Sequence, residues 1–457
     1  SDIEKQPFFV LNEDLKKLVG DYYSPKKLDK ILKRIDRLSE EKELQFINHR
    51  LDETLENDYV TVKIDIFEGK KFFVERINVV GNNVTNETVI RSEMIIDEGD
   101  PYSALLLNRS INRIKARGLF AKVEEKILPG SSDDTRLIEI EVEEQATGEI
   151  VAGAGVGTSG GSIGFSVIEN NFMGKGIKLD TSLDLTEETI RGKFSVNNPN
   201  FNYSGNTLNT IIESSKTDKL STAGYESTKT GFTLGTSFEQ YEDFYVSPRI
   251  SSYYEDVSTL STASDTLKQQ AGTFASTNFS YSLTLDKRDQ RFQTTEGFRS
   301  SFTQRIPLYS DTPSLINGFD YSYYHPLLED MTGTFKFFSR AINSINDKDV
   351  RISERLHIPS SMLRGFERGK IGPKDSTEHV GGNYAAAASF AVSLPNLLPE
   401  DLNTDVSVFL DTGNVWGVDY SDTVGESNTI RSALGVSTNI FTPIGPLSFS
   451  LSQNLSK

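Results

Sequence analysis

The stretch EIVAGAGVGTSGGSIGFSV (residues 149–167) decides between two folds. Its centre, Gly155-Val156-Gly157-Thr158-Ser159-Gly160, fits the G-x-G-x-x-G pattern of a dinucleotide-binding turn. That pattern holds a pyrophosphate only where a strand enters the glycines and a helix leaves them, because the helix N-terminus supplies the N–H donors. Here the next residues, Gly161-Ser162-Ile163-Gly164-Phe165-Ser166-Val167, alternate small or polar with apolar, which is strand spacing. No helix start follows until far downstream. The stretch therefore predicts glycine-rich β-structure, with no nucleotide and no other cofactor.

Working outward, the period stays at two from Gly148 to the end. "IKLDTSLDL" (177–185) sets Leu179, Thr181, Leu183 and Leu185 against Asp180, Ser182 and Asp184. "FRSSFTQRI" (298–306) sets Phe298, Phe302 and Ile306 against Arg299, Ser301, Thr303 and Arg305. "DVSVFLD" (405–411) sets Val406, Val408 and Leu410 against Ser407, Phe409 and Asp411. About fifteen such segments, each roughly ten residues long, are separated by Gly, Asn, Asp, Ser and Pro turns with no helix between them. A soluble sandwich or solenoid is the competing reading, but it favours shorter strands and a more aliphatic buried face. Alternation of one apolar face with one charged face, plus Tyr-rich ends such as "QYEDFYV" and "FDYSYYHP", fits a transmembrane barrel better.

Before residue 147 the period changes. "SPKKLDKILKRIDRL" (24–38) has Ser24 as N-cap, Pro25 in the first turn, and Leu28, Ile31, Leu32, Ile35 and Leu38 on one face. "SALLLNRSINRIKARGLF" (103–120) repeats the plan with Ser103 as cap and Gly118 as stop. A shorter helix, "TNETVIRSEM", is expected to be capped by Thr85. Residues 73–145 read strand, helix, helix, strand, strand. Residues 1–70 read the same without the opening strand, as if the chain began inside a repeat. Two small α+β units in tandem precede the barrel.

Bulk composition excludes several classes. The 457-residue chain carries a net charge of −17, which argues against a nucleic-acid partner. Cys is absent and the four His are scattered, so no metal ligand set is expected. No apolar run is long enough for a transmembrane helix, which leaves a β-barrel untouched. No nucleophile, base and oxyanion donors cluster along the chain, so catalytic residues are not expected, nor is a small-molecule substrate.

The long segment ERLHIPSSMLRGFERGKIGPKDSTEHVGGN (354–383) carries the most specific motif. Leu363-Arg364-Gly365-Phe366 resembles the [V/I]-R-G-[F/Y] signature of the BamA superfamily of barrel assembly and translocation proteins. Further matches follow in order: "NNFMGKG" (170–176), "NNPNF" (197–201), "DKRDQRFQTTEG" (286–297), "FLDTGNVW" (409–416) and "GPLSFSLSQNL" (445–455). "RINVVGN" and "RGLFAKV" fall where the family's POTRA domains carry them. The resemblance covers essentially the whole chain.

The fold it implies is membrane all-β: a 16-stranded antiparallel transmembrane barrel, with about fifteen strands visible and the last apparently missing, after two POTRA domains. The implied boundaries are 1–71 for a POTRA domain incomplete at its N-terminus, 72–146 for the second, and 147–457 for the barrel with a long luminal loop at about 345–383. In the family that loop folds into the lumen and its Arg pairs with inward-facing acids. Arg364 matches the Arg and Asp411 the acid, while Ala391 stands where a second acid is common. Gly153, Gly155, Gly157, Gly160 and Gly161 fall at the first barrel strand, one side of the family's lateral gate. Poor side-chain packing there makes a seam less costly to open.

The implied function is assembly of β-barrel proteins into the outer membrane of a Gram-negative bacterium, with the POTRA domains in the periplasm. Unfolded outer-membrane barrel proteins, accessory lipoproteins and outer-membrane lipid are the implied partners. A TamA-like factor, a two-partner-secretion translocator and a passive porin-like channel are the alternatives.

Overall fold

The structure is a computed structural model. It describes residues 47–456 except 57–58, 69–71, 158–159, 290–293, 329–330, 347, 368, 376–377, 395–403, 420–424, 426–428 and 443–444, with scattered positions before residue 47. The chain divides into two compact units: residues 1–147 with 173–175, and residues 148–172 with 176–457.

In the first unit, Leu28, Ile31, Ile35 and Leu38 are helical and buried, at the spacing read from the sequence. The expected cap at Ser24 and Pro25 lies outside the described residues. Strands β1 (Ile47–Glu56) and β2 (Tyr59–Glu68) pair antiparallel. Next come β3 (Phe73–Val80), a helix Glu87–Arg91, a helix Ala104–Ala116, β4 (Phe120–Pro129) and β5 (Thr135–Glu144). The sheet order is β3-β5-β4, so β5 is central and Ile138, Ile140 and Val142, two apart, are all buried. They pack on Ile90, Leu107, Ile111 and Ile114 from the two helices.

The Ser103 hydroxyl accepts the Leu106 N–H and caps the longer helix, while Gly118 takes φ +66 just beyond its end. The shorter helix corrects the sequence reading. Its N-cap is Asn86, which makes no side-chain capping bond, and Thr85 is buried one position earlier with its N–H on Glu144 at 2.5 Å. Glu144 thus holds the backbone just before the helix, and the Asn86 carbonyl accepts the Val89 N–H.

The second unit holds a 15-stranded antiparallel sheet. Its strands are β6 (Gly148–Gly157), β7 (Gly160–Phe172), β8 (Ile177–Thr186), β9 (Thr189–Asn198), β10 (Thr207–Lys219), β11 (Tyr225–Tyr241), β12 (Phe244–Thr259) and β13 (Gly272–Asp286). There follow β14 (Gly297–Ser310), β15 (Ser314–Leu328), β16 (Met331–Ser344), β19 (Tyr384–Ser393), β20 (Thr404–Trp416), β21 (Arg431–Thr442) and β22 (Gly445–Asn454). Two short strands, β17 (Lys374–Asp375) and β18 (Glu378–His379), form a separate pair between β16 and β19. Every large strand pairs with its sequence neighbour, leaving β6 and β22 at the two ends of the sheet.

The faces sort as a membrane barrel requires. Phe194, Ile212 and Phe232 are in register across β9, β10 and β11, and all three are exposed. Phe390, Leu410 and Leu434 do the same across β19, β20 and β21. The intervening residues of β20, Phe409 and Asp411, are 1% and 0% exposed. An apolar outer face with polar groups turned inward is the pattern of strands that meet lipid on one side only.

The opening glycines divide differently from the sequence reading. Gly153, Gly155 and Gly157 lie on β6, but Gly160 and Gly161 lie on β7, where they pair with Gly157 and Val156. The chain reverses within the G-x-G-x-x-G stretch, so only three of the five glycines belong to the first strand.

Two predictions follow from this architecture. Leu410→Arg puts a charge on the lipid face and should destabilise the barrel by about 2–4 kcal/mol if near the bilayer midplane, read as a lower urea midpoint in lipid vesicles. Glu144 is pushed up by burial, but the N–H groups of Thr85 and Val84 outweigh this and hold its pKa below the ordinary value. Its stabilisation is therefore present above the ordinary carboxylate pKa and is lost as pH falls through the depressed one. A fragment of residues 72–147 carrying Glu144→Ala should melt below wild type at neutral pH, and the gap should shrink at pH near 3.

Candidate functional site

Described residues between Ser344 and Tyr384 lie against inward-facing strand residues, and Arg364 is one of their attachments. The Arg364 Nε and Nη2 donate to the two oxygens of Asp411 at 2.7 and 2.8 Å, and its backbone N–H reaches Oδ2 at 2.9 Å. Asp411 is wholly buried, while the Arg364 side chain is 19% exposed. A two-pronged guanidinium–carboxylate contact fixes both distance and plane, which a single charge pair does not. The guanidinium carbon also sits 3.3 Å from the centroid of the Phe409 ring, a cation–π contact.

Sequence reasoning left a gap at Ala391, and hydroxyl groups fill it. Ser389, two residues earlier on the same strand, accepts from Arg364 Nη2 at 3.2 Å and donates to Asp411 Oδ1 at 2.7 Å. Ser437 on β21 accepts from Nη1 at 3.3 Å and lies 2.8 Å from the Ser407 hydroxyl. The alternation of β20 already placed Ser407 and Phe409 on Asp411's face. Nothing in the sequence marked Ser437, because a lone serine in a strand carries no charge or period to stand out.

The flanking motif residues have separate tasks. Leu363 is 2% exposed and packs with Phe338, Ile358, Ala385, Ala387 and Val415, while Phe366 lies against the same cluster. The small inner face of β19 leaves room for them: Ala385, Ala387 and Ser389 are all buried. Gly365 has φ +86, and a Cβ there would run into the Ser452 hydroxyl of β22 and pass 2.8 Å from the Asn454 side-chain oxygen. Both the backbone conformation and the close approach require glycine. The structure thus brings Leu363, Arg364, Gly365, Phe366 and Asp411 into one constellation. Gly153, Gly155 and Gly157 lie elsewhere, on the edge strand β6.

The same segment carries charged contacts that sequence reasoning missed. Arg351 pairs with Glu255 of β12 at 2.9 Å, and Arg355 pairs with Asp419 at 2.6 Å. Among the described residues no group of His, Asp and Glu is arranged to hold a metal ion.

With this geometry in view, comparison with known families is informative. The model of the Omp85 superfamily domain matches residues 171–457. The chain belongs to the Omp85 superfamily. A second model, the POTRA surface antigen variable number repeat, matches residues 72–145. Among curated Omp85 relatives, an outer membrane protein assembly factor BamA from Neorickettsia risticii is 25% identical over 87% of this chain and 55% of its own length. The factor of the same name from Neisseria meningitidis serogroup B is 25% identical over 89% of this chain and 56% of its own length. The chain therefore spans about half the length of these relatives. The crystal structure of BamA from Haemophilus ducreyi lacking POTRA domains 1–3 superposes with a TM-score of 0.73 at 22% identity, covering 100% of this chain and 95% of that one. This likeness bears on the fold, and it agrees with a barrel preceded by α+β structure. The superfamily is one of outer-membrane proteins.

Breaking the Arg364–Asp411 contact leaves one buried charge without its partner. Asp411→Asn and Arg364→Ala should each destabilise the folded barrel by about 3–5 kcal/mol, and Arg364→Lys should recover only part of this because it lacks the planar fork. Urea titration of the single Trp416, which stacks on Tyr384 at 5.9 Å, reads the unfolding of β19 and β20 directly.

Proposed function

We propose that this chain is the barrel and adjoining POTRA part of an outer-membrane insertase, which folds β-barrel proteins and places them in the outer membrane. The observation that carries the reading is the long loop, docked inside the barrel by Arg364 on Asp411 at the position of the family's signature motif. A lumen filled by its own loop suits a protein whose substrates enter the membrane from the side better than one that conducts solutes.

The residues suggest how such work proceeds. Strand β6 lies at an end of the sheet and carries Gly153, Gly155 and Gly157, so it presents backbone donors and acceptors with little side-chain packing. An incoming strand that pairs there satisfies its own N–H and C=O groups as it enters hydrocarbon, where each unpaired group would cost several kcal/mol. The domain plan we read is a POTRA unit over 1–71, a second over 72–146, and the barrel from 147. The POTRA units face the periplasm, and the sheet edge at β4 pairs with unfolded barrel chains or accessory lipoproteins by β-augmentation. No bond is made or broken in this scheme. No cofactor, nucleotide or catalytic residue takes part.

The test is reconstitution of the full-length protein in liposomes, timing the folding of an unfolded barrel protein against empty liposomes. The expected result is clear acceleration that falls at least several-fold with Arg364→Ala. No acceleration, together with a large steady ion conductance, would replace the insertase with a channel or a translocator.

A further inference from the structure

The loop is held at a second place that the signature motif does not explain. Arg351 is 4% exposed and donates to Glu255 of β12, itself 3% exposed, at 2.9 Å. Its other prong lies 3.3 Å from Glu354, which receives Arg305 of β14 at 2.8 Å and the Ser314 hydroxyl of β15 at 3.1 Å. The guanidinium of Arg351 stands 4.7 Å from the Phe274 ring of β13. The Ile352 N–H donates to Gln270 at 2.7 Å. One short run of loop therefore touches four adjacent strands, β12 to β15.

Each of the two attachments couples ions to an apolar cluster. Beside Arg351, Ile352 and Val380 of the loop pack with Tyr225, Val257 and Leu267. Beside Arg364, Ile358 and Leu363 pack with Phe338, Ala387 and Val415. Along the sheet order, β12 and β20 are six steps apart, through β13, β14, β15, β16 and β19. In a sheet of 15 strands those are well-separated sectors of the wall. The fourteen-residue run from Arg351 to Arg364, which could reach about 45 Å fully extended, joins the two attachments.

We infer that residues 351–364 act as a tie across the lumen, with Arg351, Glu255 and Glu354 as positioning residues that set where the Arg364 tip stands. The inference rests on the reading of the docked loop as the closure of the lumen. A buried ion pair is weak support for stability, since apolar residues of similar size often do as well. What it supplies is a fixed position: Arg351 and Glu354 travel together on the loop, so sliding it by a residue or a strand would part Arg351 from Glu255 and Glu354 from Arg305, leaving Glu255 buried without its partner. Arg364 alone fixes the tip to β20 and β21. Arg351 fixes the root to β12. Together they hold the run between them at both ends.

Single-channel recording in planar bilayers tests this, using full-length protein shown to be folded by heat-modifiable gel mobility. Arg351→Met should raise the time spent in large-conductance openings at least three-fold, although Arg364 and Asp411 are untouched. Glu255→Gln, the milder variant should Arg351→Met fail to fold, should do the same to a smaller extent. The double variant Arg351→Met/Glu255→Gln should be no worse than Arg351→Met alone, because the two act through one contact. Arg340→Met removes a wall pair with Asp320 at 2.7 Å and should leave the openings as in wild type. If Arg364→Ala opens the channel while folded Arg351→Met and Glu255→Gln barrels conduct like wild type, the second anchor is wrong and the docked tip is right. If none of the three changes conductance, the loop does not close the lumen, and both readings fall.

Discussion

A chain that crosses a bilayer as strands must satisfy every backbone N–H and C=O within protein, because hydrocarbon offers no partner. The rest of this structure follows from that constraint. Fifteen strands pair each with its neighbour in sequence, so the ladder needs no crossover, and the long segment from Ser344 to Tyr384 is free to turn inward. Once the ladder is fixed, side chains have two destinations. Phe194, Ile212 and Phe232 meet lipid, while Phe409 and Asp411 meet the interior. The loop is then solvent for the inner face: it supplies the guanidinium groups that Asp411 and Glu255 would otherwise lack.

Much of this was legible along the chain. The period of two read off "DVSVFLD" puts Asp411 inward because a strand allows only two directions, and the structure has it wholly buried. Arg364 could be matched to it through the family motif, and small residues on one face of β19 indicated room for an inserted segment. The helix Ala104–Ala116 was readable from both ends, since a serine cap and a left-handed glycine are local devices.

What could not be read depends on partners distant in sequence or on groups without a pattern. Arg351 and Glu255 are 96 residues apart, and neither sits in a motif. Ser389 and Ser437 replace the missing acid at Ala391 with hydroxyls, which are common along the barrel strands. The helix Glu87–Arg91 starts one residue later than expected, with Asn86 at its N-cap, and Glu144 of β5 holds the Thr85 N–H just before it. The five opening glycines looked like one strand because glycine carries no face. Only the pairing of Gly157 with Gly160 reveals the reversal between them.

The position of the loop along the chain also imposes an order in time. Glu255 and Arg305 lie before Arg351 and Glu354, so the root of the loop can dock as soon as β12 to β15 exist. The partners of Arg364 all come later: Ser389, Asp411 and Ser437 on β19, β20 and β21, with Ser452 of β22 against Gly365. A barrel growing from its N-terminal strands would thus carry the loop by one end and fasten the other only when its last strands are in place. Seating of the tip is a record that β19 to β22 have formed.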